Sequence, residues 1–300
     1  MTSATQVTHI ELERAWRALS AGTFRDQAAV GDQGAVGEPL AAATVFTGPV
    51  VAVAGCHGWA GTSTAALLLA DAYARRGTPV RVLDAAPAAR SGYSAAAATE
   101  HGLDESGRWR LGSRGQVTVH RIAGTLPGVG GVLEVPPPPA VAGDTVTVVD
   151  TGWPIADLLA AGSRTHWLPR LLTQAPLLLT ARANVPGLRH AEVTLEALRT
   201  LSTPTSRSTP PFVLLLGARR GWLQAATGPL LRAAEHDGRV QLVPERSVLA
   251  AAGLTPAPLP RQLHPVGDRL VQLTAPTAAP AAELAAVPLH DLIYRKDSPS

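Results

Sequence analysis

Residues 55–64, GCHGWAGTST, set glycines and hydroxyl side chains between an apolar run, VVAVAG, and a helix-like segment, STAALLLADAYARRG. A turn of this kind aims backbone N–H groups at an anion beside the positive end of a helix dipole, so the chemistry it suggests is phosphate binding. Two acids close strand-like runs, Asp84 in PVRVLD and Asp150 in DTVTVVD. The structural alternative is that Ser63 and Thr64 cap the following helix and Asp150 satisfies nearby backbone N–H groups. A Ser/His/Asp hydrolase built from His57, Ser63 and Asp150 lacks a G-x-S-x-G elbow and is set aside. His120, His166, His190 and His236 have no i, i+4 metal spacing and read for the most part as surface residues. Cys56, the lone cysteine, reads as a small buried filler and excludes an internal disulfide.

The elements that must hold these residues follow from the apolar pattern. VVAVAG (50–55), PVRVLD (79–84), QVTVHRI (116–122), DTVTVVD (144–150), APLLLTA (175–181), PFVLLLG (211–217) and RVQLVP (239–244) read as strands. Helices are expected over 63–77, 186–201 and 222–238. Strand, glycine loop, helix and strand make one right-handed parallel unit, so the expected fold is α/β, a mostly parallel twisted sheet flanked by helices. The segment 85–116 and the prolines 136–139 are expected to lie outside the sheet. Residues 1–47 divide into a short helix, Thr8 to Ser20, and a Gly/Ala-rich linker; 48–273 form the α/β domain; 274–300 form an Ala/Pro-rich tail.

On these residues the chain resembles the MinD/ParA family of deviant Walker P-loop ATPases. Its loop pattern, K-G-G-x-G-K-[ST]-[ST], is filled by His57, Gly58, Trp59, Ala60, Gly61, Thr62, Ser63 and Thr64. Asp84 matches the first acid of the D-x-D box and Asp150 the Walker B acid. The segments LLLTARANVPGLRHAEVTLEAL and LVPERSVLAAAG are similar to those that follow in the family. The resemblance implies ATP and Mg²⁺ as ligands, with Ser63 the candidate Mg²⁺ ligand and Asp150 the candidate holder of a metal-bound water if a nucleotide binds, but the departures imply a degenerate member. Thr62 stands where the phosphate-clamping lysine belongs, His57 where the signature lysine reaches across a dimer, and Ala86 where the second D-x-D acid belongs. Gly217 takes the place of an adenine-reading asparagine, and Trp59 that of a loop glycine. Losing several charged clamps together removes transition-state stabilisation of a few kcal/mol each.

Composition sharpens that expectation. Of 26 basic residues among 300, only Lys296 is lysine, so no lysine near the loop can substitute. Residues 164–275 carry 13 arginines against 6 acids, a balance of +7, yet no aromatic-interleaved basic run marks a nucleic-acid groove. No apolar run reaches the length of a membrane span and the N-terminus lacks a signal-like core, which points to a cytoplasmic protein. Trp59 and Trp153 flank the expected cleft, as plugs, stacking surfaces or core filler. The expected function is a catalytically degenerate scaffold or regulator of a partitioning, secretion or conjugation machine, with a protein partner and with homodimer formation open. The alternative is a weak Mg-ATP switch.

Overall fold

The computed structural model describes residues 46–124, 131–161, 166–201, 210–218, 227–244, 249 and 252–274. The helix expected at 8–20, most of the linker, residues 219–226 and the tail with Lys296 lie outside the described residues, as do Trp16 and Trp222.

Short apolar runs become buried strands because helices cover both faces of the sheet. In β1 (Val50–Gly55), Val51 and Val53 point into one core, Ala52 and Ala54 into the other. The first core lies under α1 (Thr62–Arg75), whose Leu67, Leu68 and Leu69 are all buried. The second lies under α2 (Ile155–Ala160), α3 (Trp167–Gln174), α4 (Val185–Leu201) and α5 (Pro229–His236). A last helix, α6 (His264–Thr274), sends Val266, Leu270 and Val271 into the α1 core.

Among the described residues the sheet has nine strands in the order β3-β4-β5-β2-β6-β1-β7-β8-β9. β2 (Val80–Asp84), β5 (Val117–Ile122), β6 (Val146–Pro154), β7 (Leu177–Arg182), β8 (Phe212–Ala218) and β9 (Val240–Pro244) run parallel with β1. The mostly parallel α/β class expected from the pattern is therefore present.

One expectation is corrected. The stretch 85–116 does not stay outside the sheet, since β3 (Thr99–Leu103) and β4 (Trp109–Arg114) add an antiparallel edge to β5. β3 is exposed along its whole length, so it carries no apolar signal. Its turn is made by Asp104, whose Oδ1 accepts from the N–H groups of Arg108 (3.0 Å) and Trp109 (2.9 Å).

The proline run does lie outside the sheet. Prolines offer carbonyls but no N–H, so side chains must supply the donors. Trp167 Nε1 donates to Val135 and Pro136, Trp109 Nε1 to Pro137, and Arg81 Nη1 to Pro139. Arg81 is 1% exposed and also donates to Thr147, and burial pulls its pKa down to about 10. Trp109, Trp153 and Trp167 are all core residues, which settles their role as filler. His120 corrects the surface reading: it is buried on β5, and burial with Arg81 nearby lowers its pKa to about 4. His166 is half-buried against Val135, while His190 and His236 are exposed.

Arg114 joins β4 to the α1 layer. It is 4% exposed, donates to Asp71 Oδ1 at 2.6 Å, and also donates to the carbonyls of Thr255 and Ala257. Removing one partner of such a pair strands a buried charge, at a cost of about 3 kcal/mol. Asp71→Ala is accordingly expected to lower the free energy of unfolding by about that amount. Denaturant titration of the full chain checks this, and an unchanged midpoint would show the pair to be idle.

Candidate functional site

The site sits at the carboxyl ends of β1, β2 and β6. β1 delivers residues 55–61, and α1 leaves at Thr62. Gly61 makes the join: its φ is +89°, and a Cβ there would lie 2.6 Å from Leu216 Cδ2, so glycine is needed for both conformation and space. The N-cap supplies no side-chain hydrogen bond, and the first turn of α1 holds no acid. The positive end of the helix therefore keeps its affinity for an anion. Ser63 and Thr64 lie within α1 rather than capping it.

The loop side chains do not converge on a phosphate position. His57 Nε2 accepts from the N–H of Arg182 at 3.2 Å, which leaves Nδ1 to donate to the carbonyl of Gly58 at 2.6 Å. Its ring also lies against His190, 5.2 Å between centroids. His57 is thus turned onto its own chain. Thr62 Oγ1 is 3.0 Å from Thr180 Oγ1 on β7, whose hydroxyl donates onward to Ala54 at 3.4 Å. Trp59 is 98% exposed and sits at φ +62°, a conformation that strains a bulky residue. It neither plugs the cleft nor fills the core. Trp153 is buried, donates from Nε1 to Ala85, and carries Arg90 over its ring at 4.0 Å. Cys56 is buried, with its thiol pushed up to about 12, which fits inert filler.

The two acids do come together. The β2–β6 register sets Asp84 opposite Asp150, and both are about fully buried. Asp84 Oδ1 accepts from the N–H of Ala86 at 3.0 Å, and Oδ2 accepts from the Ser91 hydroxyl at 2.5 Å. Asp150 Oδ1 accepts from the N–H of Gly152 at 3.0 Å; Oδ2 has no partner in hydrogen-bond geometry, although the Ser63 hydroxyl and Tyr93 phenol face the carboxylate. Burial raises the pKa of both acids, and for Asp84 the charge of Asp150 adds to that rise. The pair resists double ionisation.

Sequence reasoning placed His57, Gly58, Trp59, Gly61, Thr62, Ser63, Thr64, Asp84 and Asp150 around one cleft, and the structure brings Ser63, Asp84 and Asp150 into it. It missed Thr180, Ser91, Gly92 and Tyr93. The last three sit in ARSGYSAAAATE, where only the single tyrosine among small residues hinted at a buried anchor. A Mg²⁺–nucleotide, the ligand that the resemblance implies, does not fit the residues as they stand. Ser63 and Asp150 are faced by Tyr93, each oxygen of Asp84 already accepts a hydrogen bond, and Thr62 is tied to β7.

Fold and site together define an α/β protein whose mostly parallel sheet ends, after β1, in a glycine-bearing turn that opens a helix. No family model matches the sequence, and no curated protein matches it significantly. Solved structures do: the MinD cell division protein of Aquifex aeolicus at 13% identity, over 75% of this chain and 97% of that one, with a TM-score of 0.47. The cell division ATPase MinD of Pyrococcus furiosus is similar at 16% identity, 75% and 98% coverage, TM-score 0.46. A plasmid partition protein of Borrelia burgdorferi bound to AMPPNP is similar at 11% identity, 75% and 97% coverage, TM-score 0.46. Among the described residues no helix is long and apolar enough to cross a membrane.

The acid pair generates a signed prediction. A carboxyl whose folded pKa is raised above its unfolded value favours folding while protonated, and this contribution is lost as pH rises from about 4 through the folded pKa. Asp84→Asn keeps an acceptor for Ala86 and removes the repulsion. It should stabilise the chain at pH 7 by on the order of 1–2 kcal/mol, with the advantage fading towards pH 4. Unfolding curves at pH 4 and pH 7 measure this; a variant destabilised equally at both would contradict it.

Proposed function

We propose that this chain is a catalytically degenerate MinD/ParA-like protein, acting as a scaffold or regulator in a partitioning, secretion or conjugation machine. The observation that carries the reading is Thr62. In the place where the resemblance puts the phosphate-clamping lysine, its hydroxyl is bonded to Thr180, and no lysine occurs in the described residues. With His57 bound to the backbone of Arg182 and residue 86 an alanine, the groups that would stabilise developing charge are missing together. Trp59 supports a protein partner. A fully exposed tryptophan beside the loop suits a protein contact better than a phosphate, since tryptophans anchor interfaces. The proposed setting is the cytoplasm.

A second reading is kept on one observation. The uncapped N-terminus of α1 behind Gly61 is suited to an anion, which favours a weak Mg-ATP switch.

The two readings part in a simple assay. The scaffold reading expects phosphate release from ATP at the level of a no-protein control, and an unfolding midpoint indifferent to Mg-ATP. Ligand at a hundredfold excess over its Kd would add about 2.7 kcal/mol. Turnover lost on Asp150→Ala, or a midpoint raised by ATP and not by AMP, establishes the switch instead.

A further inference from the structure

We infer that the segment Ser91–Gly92–Tyr93 is a built-in occupant of the cation position, closing Ser63, Asp84 and Asp150 to outside ligands until it is displaced. The inference rests on the reading of this loop as a degenerate nucleotide site and concerns how that site is controlled.

Three contacts make the closure. The Ser91 hydroxyl donates to Asp84 Oδ2 at 2.5 Å and accepts from the N–H of Tyr93 at 3.1 Å, so one serine both engages the acid and sets the turn. Gly92 lies against Ser63 so closely that a Cβ would sit 2.5 Å from Ser63 Oγ and 2.6 Å from its Cβ. Tyr93 is 0% exposed, and its phenol donates to the Ser63 carbonyl at 3.1 Å while facing Asp150. The segment therefore covers the hydroxyl and both carboxylates that a divalent cation would use.

The segment is held from behind as well. Arg121 Nη1 donates to the carbonyl of Tyr93 at 3.3 Å, and its Nη2 donates to both carboxylate oxygens of Glu100 on β3. Tyr93 and Ala96 are part of the α1 core beside Leu254. The segment's contacts with Asp84 and Ser63 are nevertheless made by one hydroxyl and one phenol, and it leaves Asp150 Oδ2, a buried carboxylate oxygen, without a partner. An unpaired buried acceptor is a standing penalty that a cation would relieve on opening.

The test is Mn²⁺ binding to the full chain, read from the loss of the free-ion paramagnetic signal. Tyr93→Ala and Ser91→Ala are compared with the wild type, and each is checked for native circular dichroism. The variants are expected to bind Mn²⁺ at least about tenfold more tightly than the wild type. Asp150→Asn placed in the Tyr93→Ala background should abolish the gain. Equal binding by wild type and variants overturns the proposal, and so does the absence of binding by folded variants. If Tyr93→Ala does not fold, Ser91→Ala decides alone, because it keeps the tyrosine in the core. Phosphate release by the wild type would overturn the scaffold reading, whereas the Mn²⁺ comparison decides the closure by itself.

Discussion

Two carboxylates face each other across adjacent parallel strands in a dry interior, and much of the surrounding structure answers that constraint. The β2–β6 register that pairs Val80 with Val146 also sets Asp84 opposite Asp150. Buried like charges are costly unless they are hydrogen-bonded, neutralised or metal-bound. Here backbone N–H groups of Ala86 and Gly152, the Ser91 hydroxyl and the faces of Ser63 and Tyr93 take up the task. The arrangement is a buried acid pair that the chain has furnished with its own polar groups.

The loop across the cleft is consistent with that state. A phosphate-binding turn relies on backbone donors and on charged side chains, and residues 55–64 hold no lysine or arginine. Gly61 preserves the tight entry into α1, yet His57 and Thr62 bond to β7 and its end, and Trp59 turns outward to solvent. Strain at Trp59 and full exposure of its ring give it no stabilising role within the described residues.

Much of the fold could be read in the sequence because the central strands are continuous apolar runs bounded by glycine, proline or acid. β1, β2, β6, β7 and β8 were legible for that reason, and α1 and α4 from their periodic leucines and alanines. The edge hairpin was not legible, since β3 (TEHGL) is exposed throughout and depends on β4 for its pairing. His120 was misjudged because a histidine in an alternating strand shows no sign of which face is covered. At the site, residue types and spacing located Ser63, Asp84 and Asp150. They could not show that Tyr93 would fold back over them, because that contact joins residues 30 apart through tertiary packing alone.

The most direct test of a closed, non-hydrolysing site is a crystal structure of the full chain grown with Mg²⁺ and a non-hydrolysable ATP analogue. The account predicts no analogue at the 55–62 turn, with the Tyr93 phenol still on the Ser63 carbonyl and Thr62 still on Thr180. An analogue seated on the loop with Mg²⁺ between Ser63 and Asp150 would contradict it.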